Sequence, residues 1–81
     1  MTEGVVILAG ARTAIGTFGG TLAGAEPSKL GADVAVEAMR RASVEPESIG
    51  HVVFGNVIPT DPKDAYLARV AAIEGGIAPE V

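Results

Sequence analysis

Residues 4–10, Gly4-Val5-Val6-Ile7-Leu8-Ala9-Gly10, form an unbroken apolar run between two glycines. This run restricts the fold more than any other feature of the chain. A strand with one wet face alternates apolar and polar residues. A continuous run instead fits a strand covered on both faces, as in a parallel sheet layered between helices. A second run, His51-Val52-Val53-Phe54-Gly55-Asn56-Val57-Ile58, has the same character and is closed by Pro59. Parallel strands need a long crossover between them, normally helical and right-handed.

The segment between the two runs supplies that crossover. Residues 11–25 contain Gly16, Gly19, Gly20 and Gly24, with Thr13, Thr17 and Thr21 among them, too many breakers for a helix. A first helix is predicted from about Pro27, whose missing N–H costs nothing in the first turn. Leu30, Val34, Ala38 and Ala42 recur every fourth residue, flanked by Ala35 and Met39, and mark one apolar face. Glu26 at the start and Arg40-Arg41 near the end suit the helix dipole, and the helix should stop near Ser43. Pro46–Gly50 reads as a turn. A second helix is predicted from Asp61-Pro62, a cap followed by proline, with Tyr66, Val70 and Ile73 on one face and Leu67 and Ala71 beside them. Gly75-Gly76 should end it. The expected class is therefore α/β, in the order β-α-β-α.

Such an arrangement is incomplete on its own. At 81 residues it buries a smaller share of its surface than a full domain, and it has no cysteine for a disulfide or thiolate metal site. Its two strands would keep open edges. The alternation predicts a further strand beyond Val81, so residues 1–81 are expected to be the first part of a larger domain. At 48% hydrophobic and 4% aromatic, the chain is rich in the aliphatic residues that pack helices onto a sheet.

The formal net charge of −4 argues against a nucleic-acid partner, which requires a basic face. No run approaches the roughly 18 apolar residues of a membrane span, and acidic Met1-Thr2-Glu3 is unlike a basic signal n-region. Neither nucleic acid nor membrane is expected as a partner, and the expected compartment is the cytoplasm.

Gly10-Ala11-Arg12-Thr13-Ala14-Ile15-Gly16 follows a strand and invites a dinucleotide reading. Ala14 stands in place of the middle glycine, Thr17-Phe18-Gly19-Gly20 interrupts the helix that should follow, and strand two ends in Asn56-Val57-Ile58 with no acidic residue for a ribose. A Walker-type loop is also missing, with Lys29 and Lys63 lying outside any glycine loop. The plainer reading is a tight strand exit into a packed loop. Arg12 reads as a residue that fixes the loop or a subunit contact, Arg69 as a structural ion pair or interface contact, and His51 as a surface or boundary residue. Asn56 lies where α/β sheets place ligands, against the simpler role of a hydrogen bond to a loop backbone. Tyr66 should pack on helix two.

Three stretches together resemble the thiolases, the acetyl-CoA acetyltransferases and 3-ketoacyl-CoA thiolases. They are Val5 to Gly20 with Arg12-Thr13, Gly16, Phe18 and Gly20; Ile49-Gly50-His51-Val52-Val53-Phe54-Gly55-Asn56-Val57; and Ala68-Arg69-Val70-Ala71-Ala72 before Gly75-Gly76-Ile77. They stand in the family's order and spacing and cover essentially the whole chain. The nearest resemblance is to bacterial biosynthetic or broad-range 3-ketothiolases, including those that feed polyhydroxyalkanoate synthesis. His51 departs from a commonly acidic position, and Asp64-Ala65-Tyr66-Leu67 replaces a Gln-Asn-Pro approach to the helix.

The resemblance implies a thiolase-like layered fold, of which residues 1–81 are the opening part of the N-terminal domain. It implies CoA thioesters as substrates, no tightly bound cofactor, and a homotetramer or dimer. The implied chemistry is acyl transfer through a cysteine thioester, with a histidine that activates the cysteine and a second cysteine that moves protons. Those groups belong to the remainder of the chain. No catalytic, cofactor-binding or metal-binding residue is assigned within residues 1–81, and this segment alone is expected to be inactive. A dinucleotide-binding module and a non-catalytic interaction subunit are the alternatives.

Overall fold

The computed structural model describes residues 4–60 and 62–81. Two α-helices and two short 3-10 turns follow one another: α1 (Pro27–Ala42), a turn at Pro46–Ser48, a turn at Pro62–Tyr66, and α2 (Leu67–Glu74). Helix α1 forms where the apolar period and Pro27 predicted it. Glu26 is its N-cap residue and Arg40 and Arg41 occupy its last turn. It ends on Ser43, which adopts the left-handed conformation at φ 56° and donates its N–H to the Arg40 carbonyl at 3.2 Å. The Val44 N–H reaches back to the Met39 carbonyl at 3.0 Å. These bonds satisfy carbonyls that a helix end leaves open.

Helix α2 is shorter than its pattern. The turn at Pro62–Tyr66 is 3-10, and α-helical bonding begins only at Leu67. Asp61, the expected cap, lies outside the described residues. The glycine exit is as predicted: Gly76 takes φ +90°, its N–H bonds Ile73 O at 3.1 Å, and the Ile77 N–H bonds Ala72 O at 3.0 Å.

The expected strands are not formed. Among the described residues neither 4–10 nor 51–58 joins a ladder, so the β-α-β-α arrangement reduces to its two helices. The physical reason is the missing sheet. Parallel strands gain from neighbours on both edges and layers on both faces, and two strands alone have neither. Val5 and Ile7 are exposed at 101% and 94%, with Val6 and Leu8 at 72% and 67%. Residues 51–54 do alternate, with Val52 and Phe54 half-buried between exposed His51 and Val53. The radius of gyration of 14.1 Å exceeds the roughly 12 Å of a compact domain this size.

The core is a seam of small residues between the helices. Ala32, Ala71, Ala72 and Ile77 are buried. A methyl group at Gly31 would lie 2.7 Å from the Phe54 ring and 3.2 Å from Ala71 Cβ, and one at Gly75 would lie 3.1 Å from Ala71 O. The backbones therefore approach closely. This corrects the expected face of α2, because Tyr66 and Ile73 are exposed while Ala71 and Ala72 are covered. Leu30, Val34, Ala38 and Ala42 are half-buried rather than central. Ala38, Met39 and Ala42 line an open groove of about 590 Å³ with Val6–Ala9 and Ile49, on the side where the sheet was expected.

Candidate functional site

A part-buried polar cluster joins residues 51–58 to the turn before α2. Asn56 Nδ2 donates to the Asp64 carbonyl at 2.6 Å. Asp64 Oδ2 accepts from the Thr60 N–H at 3.1 Å and the Thr60 hydroxyl at 2.7 Å. Asp64 is 1% exposed, and its Oδ1 has no hydrogen-bond partner among the described residues. A buried carboxylate is tolerated only where donors meet it, and among the described residues both donors come from one residue four positions earlier. The loop between Asn56 and Asp64 is thus tied at both ends. Val57 and Ile58 stand out from it at 94% and 77% exposure.

Asn56 therefore takes the simpler of its two expected roles, a bond to loop backbone. Thr60 was not singled out in the sequence, and Asp64 was noted only within a departure from the resembled pattern, with no role. The one signal was their four-residue spacing, since a carboxylate near a helix start ordinarily faces solvent.

Arg12 lies in the loop after residues 4–10, with Nη1 bonded to the neighbouring Thr13 carbonyl at 3.0 Å. His51 is exposed. Arg69 Nη1 donates to the Val81 carbonyl at 3.0 Å, tying α2 to the chain that doubles back beneath it. Its described partner is thus a backbone oxygen, where an ion pair was one of the expected roles. Tyr66 is 73% exposed, against the expectation that it packs on α2.

A charged cluster closes the far end of α1. Glu37 accepts from Arg40 Nε at 2.9 Å and Nη2 at 2.5 Å, and from Arg41 Nε at 2.6 Å. The hydrogen bonds from Arg40, then Arg41, lower the Glu37 carboxyl from 4.5 to about 2, and the same contact raises the Arg40 guanidinium. Arg41 Nη1 also donates to the Gly10 carbonyl at 3.0 Å. The exit of the first apolar run is therefore fastened beside the C-terminal end of α1.

Gly10–Gly16 does not lead directly into a helix N-terminus, which is the place a dinucleotide's pyrophosphate would need. A pyrophosphate is favoured at a helix N-terminus, whereas the C-terminal end carries negative partial charge. The N-terminus of α1 begins only at Pro27, behind the carboxylate-bearing Glu26.

Two of the tied points, Gly10 and Asn56, fall within the stretches that carry the sequence resemblance, and the comparisons agree with it. The family described as thiolase, N-terminal domain, matches residues 5–81. This chain belongs to the thiolase family. It is 58% identical over 77 residues to beta-ketothiolase BktB of Cupriavidus necator, which is 95% of this chain and 20% of that protein. It is 42% identical over 81 residues to an acetyl-CoA acetyltransferase of Syntrophomonas wolfei, all of this chain and 20% of that protein. A third relative, an acetyl-CoA acetyltransferase of Clostridioides difficile, is 38% identical over 76 residues, 94% of this chain and 70% of that protein. The chain thus spans about a fifth of the length of the first two relatives. Among the described residues, no three His, Asp or Glu side chains gather as a metal site, and no helix is long and apolar enough to cross a membrane.

Proposed function

We propose that the full-length protein is an acyl-CoA:acetyl-CoA C-acyltransferase, and that residues 1–81 are the first part of its N-terminal domain. The 58% identity to beta-ketothiolase BktB along 95% of the chain carries this reading. In the thiolytic direction a cysteine thiolate attacks the 3-keto carbon of a 3-ketoacyl-CoA. The C2–C3 bond breaks, the acyl group stays on sulfur as a thioester, and the departing enolate of acetyl-CoA takes a proton from the second cysteine. The thiol of free CoA then gives its proton to the second cysteine and attacks the thioester, forming the shortened acyl-CoA and returning the first cysteine's thiolate. Two acyl transfers replace one difficult exchange, and each tetrahedral species needs donors at its oxyanion.

With no cysteine of its own, this segment contributes scaffold: the helix pair, and two apolar segments awaiting a sheet. CoA thioesters are the substrates and no tightly bound cofactor is required. The protein works in the cytoplasm as a homotetramer or dimer. The remainder of the N-terminal domain, and a C-terminal domain after it, complete the chain. Incubating the full-length protein with acetoacetyl-CoA and CoA tests the reading. Two acetyl-CoA per acetoacetyl-CoA, abolished by thiol alkylation, is the expected result, and a folded protein that leaves acetoacetyl-CoA intact overturns it.

A further inference from the structure

Between the first apolar run and α1 the chain has to double back. Arg41 Nη1 holds the Gly10 carbonyl at 3.0 Å beside the C-terminal end of α1, while Pro27 opens the N-terminal end of the same helix. The 16 residues of α1 span about 24 Å, so residues 11–26 form a strap that covers the distance between its two ends. Fully extended, the strap would reach about 50 Å. It is therefore slack, and turns take up the excess. The Gly20 N–H bonds Thr17 O at 2.9 Å, the Ala23 N–H bonds Gly20 O at 3.1 Å, and the Ala25 N–H bonds Leu22 O at 3.0 Å. Among the described residues, the hydrogen bonds made within 11–25 join residues no more than three apart. They shape the strap without attaching it to the helices. Ile15 and Phe18, at 86% and 108% exposure, add no packing.

We infer that Arg41 is the latch of this strap: its bond to Gly10 fixes the point from which residues 11–20 depart, and the adjacent Arg40 has no share in that role. Both arginines bind Glu37, yet they use their donors differently. Among the described residues Arg40 directs Nε and Nη2 to Glu37 alone. Arg41 divides its fork, with Nε on Glu37 at 2.6 Å and Nη1 on Gly10. The guanidinium is planar and rigid, so the Glu37 bond to Nε orients the group and leaves Nη1 aimed at the carbonyl. A charge-assisted bond of this kind is directional and holds one carbonyl rather than a general area. Neither arginine belongs to the buried seam of Ala32, Ala71 and Ala72. Loss of Arg41 therefore frees the strap, and with it Ile15 and Phe18, while the helix pair stays closed.

Limited tryptic digestion of the full-length protein and of its Arg41→Met, Arg41→Lys and Arg40→Met variants tests this, with fragments followed by mass. Trypsin cuts after Arg12, two residues beyond the latch, and after Arg69, within α2, which serves as the internal reference. Each cut requires local opening, and its rate follows the open population. In Arg41→Met the cut after Arg12 should quicken by about tenfold or more, while the cut after Arg69 keeps its wild-type rate. Arg41→Lys can still reach a carbonyl but lacks the fork, and its cut after Arg12 should fall between wild type and Arg41→Met. Arg40→Met should leave both rates within about twofold, as expected of an exposed ion pair. An unchanged rate after Arg12 in Arg41→Met overturns the inference, and so does equal acceleration in Arg40→Met and Arg41→Met. If Arg41→Met speeds both cuts alike, Arg41→Lys decides: faster cutting after Arg12 alone supports the latch, and faster cutting at both sites or at neither overturns it. The outcome does not depend on whether the protein transfers acyl groups.

Discussion

Asp64 and Thr60 form a closed clasp: one buried carboxylate oxygen takes both the backbone N–H and the hydroxyl of the residue four positions before it. Removing the carboxylate breaks both bonds from Thr60, empties a buried position and frees the loop that Asn56 ties at its other end. Asp64→Ala should cost about 1–3 kcal/mol of stability, read from urea denaturation of the full-length protein. Thr60→Val, which keeps the backbone N–H bond, should cost less. An Asp64→Ala protein as stable as wild type would show the clasp to be without consequence.

Glu37 gives a dependence on acid. Its folded carboxyl titrates at about 2 against 4.5 without its arginines, so the unfolded chain binds the proton more readily. The stabilisation is therefore fully present above about 4.5 and is lost as pH falls through about 2. Wild type should melt above Glu37→Gln near neutrality, and the difference should shrink to nothing near pH 2. The gap should be small, because exposed ion pairs are weakened by solvent and salt. A difference independent of pH would remove the charge from the explanation.

Gly31 tests the helix seam. A single methyl would already meet the Phe54 ring at 2.7 Å, and a branched side chain would also meet Ala71. Gly31→Val gains slightly in helix propensity but must push the helices apart, an overpacking cost of about 1–3 kcal/mol. A lowered melting temperature by calorimetry is expected. Asp33→Ala, at an exposed position on the same helix, should leave it nearly unchanged.

Pro27, Ser43 and Gly75-Gly76 show how much of the fold was legible in the sequence. Each acts through its own backbone, so the limits of α1 and the exit of α2 could be read locally. The seam of Gly31, Ala32, Ala71 and Ala72 was not legible, because periodicity gives weight to large apolar residues and this contact depends on small ones. Val5–Leu8 and Val53 read correctly as apolar segments, yet their pairing depends on strands that these 81 residues do not supply. At the candidate site Asn56 was visible as an odd polar residue in an apolar run. Asp64 was hidden, since its burial arises from a turn that no periodicity encodes.

The central claim is that this chain is the opening of a thiolase whose chemistry lies in the rest of the protein. Thiolysis of acetoacetyl-CoA, followed side by side for the full-length protein and for residues 1–81, tests it most directly. Cleavage that needs CoA and is lost on alkylation, seen only in the full-length protein, is the predicted result. Cleavage by residues 1–81 alone, or none by a folded full-length protein, would contradict it.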